Sequence, residues 1–396
     1  MMKTKKYYVC VATGTRADYG PLRPLLLRLR ACPEIELTLI ATGSHLSAAF
    51  GNTQEELQKD GFSYDRLPIP LEEGSSGGMA RSAGAALSAF ATFFEAHRPD
   101  LLVVLGDRYE ILAAAVAAHF MRIPIAHISG GDVTEGAVDD AIRHSVTKMS
   151  TLHFPGCEQS RQRIIQMGED PKWVFNVGEP GVENCLHTPL LSPEALEASL
   201  GFPLHDASYA VVTFHPVTME SNTAEEQLAE LVSAMDAFPQ MRFLITKANA
   251  DAGGMEINAL WEHAAAQRPR WYVTASLGMQ RYLSAMRGAA MVLGNSSSGI
   301  VEAPAMHVPT VNIGDRQKGR MRAESIIDCP PEREAIRRAM QRAMTPAFCS
   351  IAAHTVSPFG DGHTSEKILA ELLRFLHSGP HDLKKRFYDL PCPDMG

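Results

Sequence analysis

Short β-rich apolar runs alternate with longer segments of helical period along almost the whole chain, and that alternation restricts the fold to βα units built around parallel sheets. In the first half, residues 7–12, 36–41, 101–105, 123–128, 152–155 and 174–177 read as strands, with helices over 21–29, 79–96, 109–120 and 138–149. Several of these strands are apolar throughout rather than alternating, as expected where helices cover both faces of a sheet. The rhythm breaks at Gly178-Glu179-Pro180-Gly181, with Thr188-Pro189 and Ser192-Pro193 following, a stretch that reads as a linker. It then resumes with strands at 209–214, 242–246, 271–275, 290–293 and 310–313, and a helix over 363–376. At roughly 150 residues per domain, 396 residues fit two domains. The expected fold class is therefore α/β, two Rossmann-like doubly wound domains, over 1–178 and 179–362, with a cleft between the carboxyl ends of their strands. A Pro-rich polar tail follows over 379–396.

Charge and cysteine usage narrow the function classes. Lys plus Arg number 37 against 45 for Asp plus Glu, a formal charge of -8, which argues against a nucleic-acid partner because such affinity rests on neutralising phosphates. No apolar run approaches the roughly 20 residues of a membrane span, and Met1-Met2-Lys3-Thr4-Lys5-Lys6 leads into a strand rather than a signal peptide, so a cytoplasmic protein is expected. The seven cysteines form no C-x-x-C pair and no zinc-spaced cluster. No Asp pair at D-x-D spacing lies in a strand-end loop to hold Mg²⁺, and no obligatory metal is expected.

Polar clusters sit where strands of such sheets end. After the first strand, Thr13-Gly14-Thr15-Arg16-Ala17-Asp18-Tyr19-Gly20 offers backbone N–H groups and a guanidinium to an anion, with an ordinary βα turn carrying a surface Arg as the plain alternative. It matches neither a dinucleotide fingerprint nor a P-loop. Asp107, in Gly106-Asp107-Arg108-Tyr109-Glu110, is either a site carboxylate or a helix N-cap. His127-Ile128-Ser129-Gly130-Gly131-Asp132 ends the next strand, and the helix after it carries Asp139, Asp140, Arg143 and His144. Asp139 and Arg143, four apart, share a face on which an ion pair is the simple reading. In the second half His215 follows a strand directly, as does the segment from Lys247 to Gly254 that contains Asn249. Gly294-Asn295-Ser296-Ser297-Ser298-Gly299 opens a helix, where hydroxyls, free N–H groups and the positive dipole end suit a diphosphate. Glu302, about one turn on, is a candidate acceptor for both hydroxyls of a ribose, and Arg316, after the strand at 310–313, is a candidate second phosphate ligand.

The segments Gly14-Thr15-Arg16-Ala17-Asp18-Tyr19-Gly20, Ala41-Thr42-Gly43-Ser44-His45, Gly106-Asp107-Arg108, Ile142-Arg143-His144, Gly294-Asn295-Ser296-Ser297-Ser298-Gly299, Asn312-Ile313-Gly314-Asp315-Arg316-Gln317 and Pro358-Phe359-Gly360-Asp361-Gly362 resemble the hydrolysing UDP-N-acetylglucosamine 2-epimerases of sialic- and legionaminic-acid-type pathways. The resemblance runs colinearly from about residue 7 to about 378 and implies a glycosyltransferase-B-like fold whose last helix, 363–378, crosses back to the first domain.

The implied reaction is elimination of UDP to a 2-acetamidoglycal followed by hydration, because the C2 hydrogen of an N-acetylhexosamine is not next to a carbonyl. It converts UDP-N-acetylglucosamine to N-acetylmannosamine, or UDP-N,N'-diacetylbacillosamine to 2,4-diacetamido-2,4,6-trideoxymannose, with no cofactor. By motif, Arg16, His215, Ser296, Ser297 and Arg316 resemble diphosphate ligands, Arg108 falls in a substrate-binding motif, and Asn249 and Glu302 are similar to uridine or ribose contacts. Asp107 and Asp139 look like the acid–base pair, with Arg143 and His144 beside them. The N-acetylmannosamine-forming members commonly carry Glu where this chain has Ser129; Asp132 and Glu110 are the candidates to replace that carboxylate, unless the substrate is the diacetamido sugar. A retaining glycosyltransferase on the same fold is the competing function. The Ala-rich helix at 79–96 suits a homo-oligomer, dimer or tetramer.

Overall fold

A computed structural model describes residues 6–47, 53–71, 76–135, 138–204, 206–216, 224–248, 253–379 and 382–390. They fall into two compact units, the first comprising residues 1–132, 139–183 and 360–396, the second 133–138 and 184–359.

In unit 1 the chain runs β1 (Tyr7–Thr13), α1 (Arg16–Ala31), β2 (Ile35–Thr42), α2 (Gln54–Lys59), β3 (Tyr64–Leu67), α3 (Ser76–Ala96), β4 (Leu101–Leu105), α4 (Tyr109–Phe120), β5 (Ile125–Ile128), α5 (Asp139–Met149), β6 (Leu152–Phe154) and α6 (Glu158–Gln166). The strands form one parallel sheet in the order β3-β2-β1-β4-β5-β6. Period-two geometry sends successive β1 side chains to opposite faces. Val9 and Val11 join a core with Leu22 and Leu26 of α1, whereas Cys10 and Ala12 join one with Phe90 and Phe94 of α3. The apolar run thus serves two cores at once.

α7 (Pro180–His187) and α8 (Pro193–Leu200) lead into β7 (Tyr209–Thr213), α9 (Ala224–Asp236), β8 (Arg242–Thr246), α10 (Gly254–Ala266), β9 (Trp271–Thr274), α11 (Gly278–Gly288), β10 (Met291–Gly294), α12 (Ser297–Ala305), β11 (Thr310–Ile313), β12 (Ile326–Cys329), α13 (Arg333–Ala343) and α14 (Pro346–His354). The second parallel sheet has the order β12-β11-β10-β7-β8-β9, which repeats the first when its strands are counted from β7. In each sheet the strand order reverses beside the first strand, between β1 and β4 and between β7 and β10, the place where such sheets bind ligands. α15 (Thr364–His377) belongs to unit 1. Its Ile368, Leu372, Phe375 and Leu376, spaced as one helix face, enter the same core as Leu22 and Leu26.

Three expectations need correction. Residues 174–177 do not form a strand; Val174 makes a single bridge to His153. The Gly178–Gly181 stretch opens α7, because Pro180 at the first helical position lacks only an N–H that a helix does not use, while the division between the units, at Glu183 and Asn184, falls within the stretch read as a linker. β3 and β12 are strands that apolar runs do not reveal. Both are sheet edges, and each carries charge there, Asp65 and Arg66 in one and Asp328 in the other, as edges commonly do.

Candidate active site

At the carboxyl end of β4 in unit 1, Gly106 turns the chain at φ 80° and Asp107 follows. The Arg143 side chain of α5 is 2% exposed; its Nε donates to Asp107 Oδ2 at 2.8 Å, its Nη2 donates to the same oxygen, and its Nη1 donates to the Asp132 carbonyl at 2.9 Å. Burial alone would lower the guanidinium's pKa, but Asp107, Asp132 and Asp140 raise it, so it stays charged. His127 of β5 holds the same turn: Nε2 donates to the Gly106 carbonyl at 2.8 Å, which leaves Nδ1 to accept from Thr147 Oγ1 at 3.2 Å. Burial pushes His127 down to about 4, so the ring is neutral at neutral pH.

Asp139 and Asp140 open α5, where the helix dipole favours carboxylates. Asp140 lies 3.6 Å from Arg143 Nη1 and 3.5 Å from His144 Nε2, and burial lowers the pKa of His144. The Asp132 carboxylate is buried and accepts from Ser160 Oγ. Glu110 is buried beneath Gly14 and Gly43, with Arg108 Nε 3.3 Å from its Oε2. Arg108, read as a substrate ligand, pairs with Glu110 in this structure. Ser129, just beyond β5, adopts φ 61°, and its hydroxyl donates to Glu179 Oε2 at 2.6 Å.

After β1, Thr15 caps α1 by accepting from the Ala17 N–H at 3.1 Å. Asp18 takes the Gly14 N–H at 2.7 Å and the hydroxyls of Thr13 and Thr15. The N–H expected to face an anion is therefore used inside the turn. Arg16, half-buried at the first position of α1, has its pKa lowered by burial and raised in part by Glu56.

In unit 2 one residue ties three loops together. Asn295, fully buried after β10, accepts from the His215 N–H at 2.7 Å and donates to the His215 carbonyl at 2.8 Å. Its own carbonyl accepts from Arg316 Nη1 at 3.1 Å and Gln317 Nε2 at 3.0 Å. The exits of β7, β10 and β11 are thereby fixed to one another. Gly294 makes the approach possible: at φ 130° a Cβ there would lie 2.0 Å from the Thr213 carbonyl oxygen. Ser296 caps α12, accepting from the Ser298 N–H at 3.4 Å, while Ser298 Oγ and Tyr282 O–H share a hydrogen bond of 2.6 Å. Ser297, the first residue of α12, is exposed. Glu302 lies farther along α12 than one turn, and the loss of water pushes its carboxyl up to about 7 against the pull of Arg320.

The structure thus gathers Asp107, Asp132, Arg143 and His144 around the start of α5 in unit 1, and His215, Ser296 and Arg316 around Asn295 in unit 2. Asn249 lies outside the described residues. Sequence reasoning quoted His127 and Asn295 without giving them their work, which is holding backbone; the signal was a hydrogen-bonding side chain at or just past the end of a buried strand. Among the described residues no group of three or more His, Cys, Asp or Glu could hold a metal ion. No helix of the described residues is long and apolar enough to cross a membrane.

Two sheets with one strand order form the paired Rossmann-like halves of a glycosyltransferase-B-like fold. The solved UDP-N-acetylglucosamine 2-epimerase of Neisseria meningitidis bound to UDP-N-acetylglucosamine has the same fold, with a TM-score of 0.79 at 18% identity, covering 93% of this chain and 100% of that one. In sequence, the chain is 39% identical over 324 residues to the hydrolysing GDP/UDP-N,N'-diacetylbacillosamine 2-epimerase of Campylobacter jejuni, covering 82% of this chain and 84% of that protein. It is 37% identical over 385 residues to polysialic acid biosynthesis protein P7 of Escherichia coli, covering 97% of both. A family model described as UDP-N-acetylglucosamine 2-epimerase matches residues 27–373. This chain belongs to the UDP-N-acetylglucosamine 2-epimerase family.

Proposed function

We propose that the protein is a hydrolysing 2-epimerase of a UDP-linked 2-acetamido sugar, and that its preferred substrate is the 2,4-diacetamido-2,4,6-trideoxy sugar. The observation that carries the reading is the Asp107–Arg143 pair, a carboxylate 23% exposed fixed by a guanidinium 2% exposed. Such an arrangement orients an acid–base group that does not need to move during the reaction. Asp107 and Asp139 act on opposite faces of C2: one removes the proton as the C1–O bond to UDP breaks, and the other returns a proton after the glycal forms. Ser296, Ser297, His215 and Arg316 bind the diphosphate, where donated N–H and O–H groups and a cation stabilise the departing charge. Glu302 accepts the ribose hydroxyls, and its carboxyl, raised to about 7 when unliganded, ionises more readily as those donors arrive.

The glycosyltransferase alternative is not favoured, since the matching family model and the Campylobacter relative are named as 2-epimerases. The diacetamido substrate is supported by the activity named for the Campylobacter relative. That relative's name includes GDP as well as UDP, so the nucleotide is part of the test. A cytoplasmic location suits the unbridged state of the six described cysteines. Phe120, 77% exposed at the end of α4, supports a homo-oligomer, which light scattering measures.

Incubation without acceptor tests the function. UDP plus the C2-inverted free sugar is the expected product, with the diacetamido substrate turned over faster than UDP-N-acetylglucosamine. UDP plus a sugar of unchanged C2 configuration would return the protein to the transferase class. Faster turnover of a GDP-linked sugar would reassign the base.

A further inference from the structure

We infer that Glu179 is a third acid–base carboxylate of this enzyme, positioned by Ser129 and acting on the water that adds to C1. The inference rests on the epimerase reading above.

Three features hold the Glu179 side chain beside the carboxyl end of β5. The Ser129 hydroxyl donates to its Oε2 at 2.6 Å, from a residue kept at φ 61°, where non-glycine residues are uncommon and cluster at functional sites. Gly156, on the loop after β6, leaves the space its side chain fills: a Cβ there would lie 2.0 Å from Glu179 Oε1. The backbone before it is packed against the Pro358–Gly362 motif, where a Cβ on Gly360 would come within 2.7 Å of Gly178 Cα, and the Thr364 hydroxyl donates to the Val177 carbonyl at 3.2 Å. Ser129 and Glu179 are both only half-buried as residues. By contrast Asp132 and Glu110, the two carboxylates put forward from the sequence to replace the missing Glu, are 6% and 1% exposed.

The Ser129–Glu179 contact has a chemical direction. A carboxylate that accepts the Ser129 hydroxyl is the proton-accepting form of Glu179, the form a base needs. Hydration of the glycal needs such a base: C2 takes a proton and the C1=C2 electron pair, C1 gains oxocarbenium character, and the water oxygen bonds to C1. The proton lost by that water goes to Glu179, which returns it to solvent. Elimination of UDP does not need this group. Loss of Glu179 therefore slows the second half of the reaction more than the first.

The experiment follows UDP, 2-acetamidoglycal and free sugar together, by coupled assay and NMR, for wild type, Glu179→Gln, Ser129→Glu and the double variant. Calorimetry with UDP checks that each variant retains its nucleotide site. Glu179→Gln is expected to lower free-sugar formation at least 100-fold while glycal accumulates and KM changes less than threefold. Ser129→Glu is expected to lower turnover in the wild-type background, where it sets two carboxylates side by side, and to raise it at least tenfold on Glu179→Gln, where it restores one. That reversal of sign does not arise from a merely structural contact. If Glu179→Gln proves unstable, Ser129→Ala serves: it removes the donor and is expected to raise the glycal-to-sugar ratio at least threefold. An active wild type whose product ratio is unmoved by both Glu179→Gln and Ser129→Ala, or Ser129→Glu acting with the same sign in both backgrounds, overturns the assignment. A wild type that releases no UDP from either sugar brings down the epimerase reading itself, and this inference with it.

Discussion

Asn295 offers the most direct test of how the second unit shapes its proposed nucleotide site. Its amide makes two hydrogen bonds to the backbone of His215, at 2.7 and 2.8 Å, with Asn295 fully buried and His215 5% exposed. Asn295→Ala leaves a buried N–H and a buried C=O without these partners. At about 1–3 kcal/mol for each group, less what water recovers by entering the small cavity, the expected loss is about 2–4 kcal/mol. Asn295→Asp keeps the acceptor for the His215 N–H but turns an oxygen towards the His215 carbonyl. Only the protonated acid restores the pattern, so the folded-state pKa of the new carboxyl is raised. Its stability is fully present below the ordinary carboxylate range and lost as pH rises through the raised folded value. Asn295→Asp should thus approach wild type in acid and fall below it near pH 7. Trp261 and Trp271, both in the core of unit 2, report the urea transition by fluorescence. Calorimetry should show UDP binding weakened at least tenfold, about 1.4 kcal/mol, as the His215 and Arg316 loops loosen. Stability within about 0.5 kcal/mol of wild type for Asn295→Ala, or no pH dependence for Asn295→Asp, would refute the idea that this amide holds the loops.

Other outcomes follow from the same contacts. Asp107→Asn and Asp139→Asn should each cut turnover by about two to four orders of magnitude with UDP affinity nearly intact, as steady-state kinetics and calorimetry will show. Arg316→Ala should weaken UDP binding by about 1.5–3 kcal/mol, and unchanged affinity would remove it from the site. His127, lowered to about 4 from an ordinary 6.5, binds protons more readily unfolded, so its contribution of roughly 3 kcal/mol is present above 6.5 and lost as pH falls towards 4. Urea midpoints of His127→Gln and wild type should therefore converge in that window. Product formed in D₂O should carry deuterium at C2; retention of the original hydrogen, with failure of the glycal to hydrate, would count against elimination.

The parts legible in the sequence were those set by local chemistry. Interior strands such as β4 and β7 announce themselves because both faces are covered, and turns such as Gly106-Asp107 and Asn295-Ser296 because strand-to-helix junctions need particular residues. The edge strands β3 and β12 carry the charges that edges tolerate and so lack an apolar run. Pro180 illustrates a residue with two meanings, since proline both ends helices and begins them. Arg143 was placed on the right helix face by its spacing, yet its closest carboxylate partner, Asp107, stands on another element. Ser129 and Glu179 are 50 positions apart and meet only because β5 and the loops after it converge, which no spacing rule encodes.

The discontinuity of unit 1 bears on how the protein is made. α15 completes the core against Leu22 and Leu26 of α1, yet it leaves the ribosome only after all of 184–359. At ~5–20 residues per second the stretch from Glu183 to Thr364 takes roughly 10–35 s to synthesise. Throughout that interval the apolar side of α1 that α15 covers is left open, a sticky surface on a nascent chain. The unit begun first is thus the last to be finished, and a change in translation rate is expected to alter the yield of folded unit 1 more than that of unit 2.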